Sequence, residues 1–577
     1  MKLKYLLGLG VIASFLLSAC SSKGPDYTRY IPKSSAYVVA LDVKSMMIKL
    51  DEDSLTIENM LEVLKDENNK ADYTKALEVW TQFKDAGIDF ENKVLVAVPD
   101  FNYTSGDISF QVVAGVKDAA KLEAFVSKQP NAPKVKKDGD LSIVDLSSGV
   151  AIGWNKKAVM IVGKQSTPSY SMMDEGDTAT VTQIPGAEGL QADIKKYFDL
   201  KKEESIASVK EATDLIAEKA DIGIFTSNTA TSEVGGPGSM LTKMPKIKEL
   251  LDGVYSTTTV NFEKGKVVVN GKTYAGKKLA ELLSKYTGPV ADMSLIERYP
   301  SNNINGIFAF SFKPETVPAL LKETGFDAFV NMMLAEGGTT IEDIAKAFKG
   351  DFAVIFSDFA MKVQEAGKDA SYRSIEPEAK LLFAARIGDK AAFDKLIALA
   401  EKTGEVRRVG NKLVMVQNMG DGQAITTIKP PPFVAGIENG LFIVSSDSAV
   451  YANYVAGKTS ANISATAQAA IKNQSSGFYL NIPAMLNSIP DNIFDTTEVH
   501  PKNILNRSRE VFGEMYFNTA NFDGKKIDSK GELTILTGKN SLPQLVRYLM
   551  FVAEEIKQQN DADEVMVEEE KVKLEEK

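Results

Sequence analysis

The chain has 577 residues, of which 44% are hydrophobic and 25% charged, values ordinary for a globular protein. Its 67 Lys and Arg residues against 77 Asp and Glu residues give a net charge of −10. This acidic balance excludes a protein that holds nucleic acid through a basic surface, and the length predicts two or more domains.

The amino terminus has the pattern of an export signal. Lys2 and Lys4 precede an apolar run that closes with Leu17-Ser18-Ala19 before Cys20. The run is shorter than the roughly 20 residues needed to cross a bilayer, so residues 1–19 are predicted to be a cleaved signal peptide. The order Leu-Ser-Ala-Cys is similar to the lipobox of bacterial lipoproteins, which predicts a lipidated Cys20 and a tether at residues 20–28. An ordinary signal peptide with an incidental cysteine is the alternative.

Short motifs recur in the same order in the two halves of the chain. Arg29-Tyr30-Ile31-Pro32 and Arg298-Tyr299-Pro300 both lead into an apolar strand, and Asp118 and Asp389 both open a helix. Later, Thr259-Val260-Asn261-Phe262-Glu263 matches Thr519-Ala520-Asn521-Phe522-Asp523. The order predicts an internal duplication, with a first repeat at residues 29–295 and a second at residues 296–556.

Strand pairs joined by short turns predict an α+β fold, with two homologous tandem halves that each have a mostly antiparallel sheet and packed helices. The halves are expected to pack about a pseudo-twofold axis, and the groove between them is the default place for a ligand. Residues 165–220 and 361–379 are polar and predict linkers or loops. Residues 557–577 are strongly acidic and predict a disordered tail.

The lipobox, the Arg29–Pro32 lead-in, the strand from Tyr37 to Val43 and the duplicated body together resemble an uncharacterised family of large lipoproteins from gut Bacteroidales. The resemblance implies an outer-membrane lipoprotein anchored by its acyl chains, and it carries over no activity, substrate or catalytic residue. Acidic residues after the lipidated cysteine favour surface display in such organisms. Ser21-Ser22-Lys23 lacks them, which favours the periplasmic side.

Few residues of this chain predict catalysis. Cys20 is the only cysteine and His500 the only histidine, so no metal site or cofactor is predicted, and His500 is interpreted as a surface or capping residue. Asp100 and Asp358 are predicted to close equivalent strands and are the acids that a carboxylate-dependent site would use. They are more simply explained as turn residues. Trp154 is a candidate sugar-stacking residue, with packing on the sheet as the alternative.

Four triplets are similar to the acceptor pattern for O-glycosylation in exported Bacteroidales proteins. Their acceptor residues are Ser54, Thr178, Ser448 and Thr496, each preceded by an aspartate.

Two functions therefore remain open. The favoured one is a non-enzymatic lipoprotein that binds or scaffolds an envelope protein, a glycan or a lipid, with membrane lipid contacted through the acyl anchor. The alternative is a carboxylate-dependent hydrolase of glycan or cell-wall material, with its site between the two repeats.

Overall fold

The computed structural model describes residues 25–63, 70–102, 107–128, 134–146, 149–166, 187–228, 244–365, 373–402, 406–409, 412–415, 433–494 and 499–575. The chain forms two compact units. The first unit contains Met1–Lys248 and Gly253–Asn261, and the second contains Glu249–Asp252 and Phe262–Lys577. The predicted signal peptide and Cys20 lie outside the described residues. The repeat boundary predicted between residues 295 and 296 stays a prediction.

The first unit is built on one antiparallel sheet. Its strands are β1 (Tyr37–Leu41), β2 (Ile88–Asp89), β3 (Val94–Asn102), β4 (Asp107–Val116), β5 (Lys136–Asp138), β6 (Leu141–Asp145), β7 (Val150–Trp154), β8 (Ala158–Ser166), β9 (Ile222–Ser227) and β10 (Tyr255–Glu263). Its helices are α1 (Val43–Asp51), α2 (Ile57–Val63), α3 (Lys70–Lys84), α4 (Ala119–Ser127), α5 (Ala187–Phe198), α6 (Lys210–Ala217) and α7 (Pro245–Leu251), the last reaching the unit boundary. The strands lie in the order β10-β9-β1-β3-β4-β8-β7-β6-β5, with β2 beside β4.

The second unit also has one antiparallel sheet. Its strands are β11 (Lys266–Tyr274), β12 (Ile304–Ser311), β13 (Phe348–Glu365), β14 (Arg373–Ile387), β15 (Val406–Val409), β16 (Lys412–Met415), β17 (Val434–Glu438), β18 (Leu441–Ser445), β19 (Ser476–Leu480), β20 (Phe512–Thr519) and β21 (Lys526–Ile535). Its helices are α8 (Lys277–Lys285), α9 (Ser294–Glu297), α10 (Thr316–Thr324), α11 (Asp327–Ala335), α12 (Ile341–Ala347), α13 (Lys390–Lys402), α14 (Ser448–Val455), α15 (Ala465–Ile471), α16 (Ile482–Asn487), α17 (Val499–Val511) and α18 (Ser541–Glu575). The strand order is β11-β21-β20-β19-β12-β13-β14-β18-β17-β16-β15.

These elements confirm the predicted α+β class. The two sheets also share a topology. From β20 to β15, the strands of the second unit lie side by side in the same chain order as those of the first unit from β10 to β5. Asp118 and Asp389 cap corresponding helices: Asp118 accepts hydrogen bonds from the backbone of Ala120 and Lys121, and Asp389 accepts one from Ala392. A shared topology is what a duplication produces, although common ancestry of the two halves stays a prediction.

Each sheet has a large core on one face and a smaller core on the other, since neighbouring strand residues such as Val113 and Ala114 are buried in different clusters. In the first unit the core includes Val38, Ala40, Leu95 and Ala97 from the central strands, packed with helix α5. Gly153 on β7 permits this packing, because a Cβ there would lie 2.4 Å from the Ile194 side chain. In the second unit the corresponding core residues are Ile307, Ala309, Ala353, Ile355, Leu382 and Ala384.

Two predicted loops are wrong where the structure describes them. Part of the predicted linker at residues 165–220 forms α5 and α6, whose Leu190, Ile194 and Leu215 are buried in the core. Strands β13 and β14 extend well into the polar stretch at residues 361–379. Helix α18 runs on to Glu575 through the acidic tail, and disorder of this tail stays a prediction.

Candidate functional site

A groove in the first unit begins at helix α1, directly after the central strand β1. The Asp42 side chain caps this helix by accepting a hydrogen bond of 2.8 Å from the backbone N–H of Ser45. The apolar residues Val43, Met46, Met47 and Leu50 recur at helical spacing, so α1 turns an apolar face inward. Ile48 on the same helix is 56% exposed and leaves part of this wall open to solvent.

Buried charge fixes the position of α1. Lys49 Nζ lies 2.5 Å from a carboxylate oxygen of Asp221, and the Ser45 hydroxyl donates to the other oxygen at 2.8 Å. The Asp221 side chain is only 2% exposed, and it directly precedes β9. A buried carboxylate needs such partners, so this pair locks the groove wall onto the sheet.

Aromatic residues of α3 form the opposite wall. Phe83 packs against Phe90 with ring centroids 5.6 Å apart, and Trp80 lies 6.1 Å from Phe83. The Trp80 indole N–H donates to Glu58 on α2 at 3.0 Å, which satisfies its polar edge and leaves its apolar body for packing.

The floor of the groove depends on one glycine. Gly87 has φ of +76°, a backbone conformation that favours glycine, and its carbonyl accepts from the backbone N–H groups of Lys117 and Asp118. A Cβ at Gly87 would lie 2.3 Å from the Asp118 carbonyl oxygen. This close approach holds Ile88 beside the end of β4, where β2 pairs with β4 shortly before α4 begins.

Together these elements enclose a groove of about 1070 Å³. Its lining is mainly apolar and comes from Val43, Met47, Ile48, Leu55, Ile57, Trp80, Phe83, Ile88, Phe90 and Val94. A concave apolar surface with a few polar groups at its edge is the usual form of a small-molecule site. The groove can therefore take an elongated apolar ligand.

Charged residues form the rim of the groove. Lys44 pairs with Glu91, and Lys84 pairs with Glu58. The hydrogen bond from Lys84 lowers the pKa of the Glu58 carboxyl to about 2. Lys117, Lys121 and Asp85 also line the groove.

The described chain begins beside this rim. The Tyr27 hydroxyl donates to the backbone carbonyl of Lys93, and burial, with a contribution from the nearby Asp89 charge, raises the Tyr27 pKa. Asp89 itself lines the groove. Cys20 precedes Tyr27 by seven residues, which span at most about 25 Å when fully extended.

Asp358 occupies a second, polar pocket of about 350 Å³ in the second unit. Its carboxylate accepts from the hydroxyls of Ser301 at 3.1 Å and Ser357 at 3.0 Å, and Lys380 Nζ lies 3.4 Å away. Asp447 also lines this pocket, but its carboxylate caps α14 by accepting from the Val450 N–H. Both acids therefore have structural partners.

The prediction that Asp100 and Asp358 close their strands is wrong, because β3 continues to Asn102 and β13 to Glu365. Each strand has a bulge, which falls between Ala97 and Asp100 on β3 and between Ser357 and Ala360 on β13. When the strands are aligned on their buried residues, Ala97 corresponds to Ile355, and Asp100 therefore corresponds to Asp358. Neither acid ends its strand, and Asp358 adopts the left-handed region with φ of +53°.

The structure places the remaining candidates as follows. Trp154 is 2% exposed and packs among Ala114, Leu122 and Val159, so its indole is not available for a sugar. His500 is not a free surface residue: its Nδ1 lies 2.6 Å from the buried Glu555 and joins α17 to α18.

The acceptor residues Ser54 and Ser448 are exposed, whereas Thr178, Thr496 and Cys20 lie outside the described residues. Within the described part of the chain, no group of three or more His, Cys, Asp or Glu residues is arranged for a metal ion. In that same part, no helix has the length and apolar character required to cross a membrane.

Comparison with known proteins gives a family without a known activity. A crystal structure described as crystal form I of TP0453 is 6% identical, with a TM-score of 0.23, covering 44% of this chain and 80% of its own. Crystal form III of TP0453 is 10% identical, with a TM-score of 0.21, covering 48% and 91%. No curated protein matches the chain. A family described as a domain of unknown function, DUF4836, matches residues 27–375, more than half of the chain, and the chain belongs to this family.

Proposed function

We propose that this protein is an outer-membrane lipoprotein, anchored through Cys20, that acts as a non-enzymatic binding module in the cell envelope. Its binding site is the apolar groove of the first unit, and its ligand is a lipid or another elongated apolar molecule. The observation that carries the proposal is the groove of about 1070 Å³ with apolar walls on α1 and α3.

The position of the groove supports a lipid ligand over the envelope protein or glycan that the sequence left open. Tyr27 lies near Asp89, a residue of the groove lining, and the chain from Cys20 to Tyr27 reaches at most about 25 Å. An acyl anchor at Cys20 would therefore hold the groove close to the bilayer, where lipids are abundant. We further propose that the protein faces the periplasm, which protease treatment of intact cells would test by leaving the protein uncut.

The anchor is tested by Cys20→Ser. We expect the wild-type protein to sediment with membranes and to incorporate a palmitate analogue, whereas the variant loses both properties. Recovery of the variant in the membrane fraction with unchanged labelling would contradict the anchor.

The groove is tested with dodecanol, an uncharged single-chain probe, added to the unlipidated Cys20→Ser chain. Only two tryptophans are present, and Trp154 is buried away from the groove. We therefore expect dodecanol to change the fluorescence of Trp80, and Trp80→Phe to remove most of the change.

Two matched substitutions locate the binding. Ile48→Glu introduces a charge at an exposed lining residue, and it should weaken dodecanol binding at least tenfold without unfolding the first unit. Met332→Glu alters another exposed helical residue, 64% exposed on α11, and should leave binding unchanged. Equal effects of the two substitutions would place dodecanol outside the groove.

The hydrolase is the weaker candidate. Asp358 is the acid whose surroundings are described, and it is bonded to two hydroxyls and lies near Lys380, as a structural carboxylate would be. Asp358→Asn should therefore leave any glycan-hydrolysing activity of the purified chain unchanged.

A further inference from the structure

We propose that the groove binds a membrane phospholipid with a zwitterionic head group, one acyl chain lying in the groove and the head at the end formed by Asp85, Lys117 and Lys121. This inference rests on the proposed function and names its ligand class.

The charges at the groove rim divide into paired and unpaired groups. Lys44 is neutralised by Glu91, and Lys84 by Glu58. The Asp118 carboxylate is occupied at the start of α4, where it accepts from two backbone N–H groups. These groups need no ligand.

Five further charged groups of the groove lining have no ion-pair partner among the described residues, namely Asp51, Asp89, Asp85, Lys117 and Lys121, and the proposed head-group site uses the last three. Lys117 and Lys121 are exposed lysines one helical turn apart, at the beginning of α4. Asp85 is exposed and follows α3. The backbone bonds of Gly87 to Lys117 and Asp118 bring the end of α3 to the start of α4, so both signs of charge meet at one end of the groove.

A zwitterionic head is complementary to this arrangement. Its phosphate can pair with Lys117 and Lys121, and its ammonium with Asp85. A purely anionic head would meet Asp85, together with Asp51, Asp89 and Asp118, which also line the groove. The acidic surplus therefore disfavours fatty acids and anionic phospholipids relative to a zwitterionic lipid.

The chain preceding the described residues places this ligand within reach. Asp89 of the groove lining lies near Tyr27, seven residues after Cys20, so the groove lies close to a bilayer whenever the anchor is inserted. A phospholipid already in that bilayer is thus the available source of such a head group.

The test compares three probes with the same lauroyl-length chain, each below its micelle concentration: lauroyl lysophosphatidylethanolamine, lauroyl lysophosphatidylglycerol and dodecanol. Binding to the Cys20→Ser chain is followed by Trp80 fluorescence. We expect the zwitterionic probe to bind severalfold and at most about fivefold tighter than the anionic probe, since the two differ in one exposed ion pair, that of the ammonium with Asp85. The preference should shrink in high salt, because these groups are exposed.

The variants separate the two halves of the head group. The double substitution Lys117→Gln with Lys121→Gln should weaken binding of the zwitterionic probe severalfold and leave binding of dodecanol unchanged. Asp85→Asn should weaken binding of the zwitterionic probe and strengthen binding of the anionic probe. The matched control, Lys128→Gln with Lys156→Gln, removes two exposed lysines outside the groove lining and should change neither.

Failure of the inference is distinguishable from failure of the proposed function. If dodecanol binds but the three probes bind equally, or the anionic probe binds tightest, the head-group assignment is wrong and the apolar groove remains. If dodecanol itself does not bind, the proposed function is wrong and the inference falls with it.

Discussion

The buried pair between Lys49 and Asp221 offers the sharpest test of how the groove is built. Lys49→Met keeps most of the aliphatic stem of the lysine and removes its charge, leaving Asp221 with the Ser45 hydroxyl as a remaining side-chain donor. Breaking a buried ion pair by removing one partner costs about 3–5 kcal/mol. Because Lys49 is 21% exposed and Ser45 still donates, we expect a loss of about 2–4 kcal/mol in the free energy of unfolding.

A second lysine on the same helix provides the matched control. Lys44 also pairs with a carboxylate, Glu91, but the two side chains are 51% and 62% exposed. Exposed pairs contribute at most about 1 kcal/mol, so Lys44→Met should cost no more than that. Burial of the carboxylate is the main difference between the two substitutions.

Urea unfolding followed by tryptophan fluorescence is the suitable assay. Trp80 and Trp154 both lie in the first unit, so the signal reports the unit that contains the pair. Adding Asp221→Asn to Lys49→Met removes the uncompensated charge, and we expect the double variant to be at least about 1.5 kcal/mol more stable than the sum of the single effects. If Lys49→Met and Lys44→Met destabilise equally, the buried pair does not hold α1 as we describe.

Two further predictions concern acid stability and backbone strain. The bond from Lys84 lowers the pKa of Glu58 from 4.5 to about 2, so its stabilisation is complete above about pH 4.5 and is lost as the pH falls towards 2. Since Glu58 is 37% exposed, we expect this ion pair to contribute at most about 1 kcal/mol to the free energy of unfolding. Glu58→Gln should therefore flatten the pH dependence of the unfolding free energy in that range. An unchanged slope would contradict this. Gly350→Ala would place a Cβ 1.9 Å from the Phe312 carbonyl oxygen at φ of +94°, whereas Gly524→Ala, at φ of +100°, meets nothing within 4 Å. By calorimetry, Gly524→Ala should lower the free energy of unfolding by about 1–2 kcal/mol, and Gly350→Ala by clearly more. Equal losses for the two variants would show that backbone strain alone decides both.

Local features of this protein could be predicted from the sequence. Asp118 and Asp389 cap helices because a side-chain oxygen reaches backbone N–H groups two or three residues ahead, which depends on neighbouring residues alone. The alternation of apolar residues likewise indicated the strands and the α+β class.

Other features depended on distant residues and were missed. Helix α5 lies in a polar stretch, and its burial of Leu190 and Ile194 depends on the close approach that Gly153 permits from another element. Strands β3 and β13 continue past Asp100 and Asp358 through β-bulges, which no local pattern revealed. Both cases depend on which distant segments of the chain contact each other.

The sequence by itself determined the single cysteine, the recurring motifs and the fold class, and it predicts the export signal, because each of these depends on consecutive or periodic residues. Only the tertiary structure decided that Trp154 is buried, while Trp80 lines a groove with Ile48 and Phe90. Exposure of a tryptophan depends on what the rest of the chain packs against it, and a groove exists only where several separate segments leave space between them.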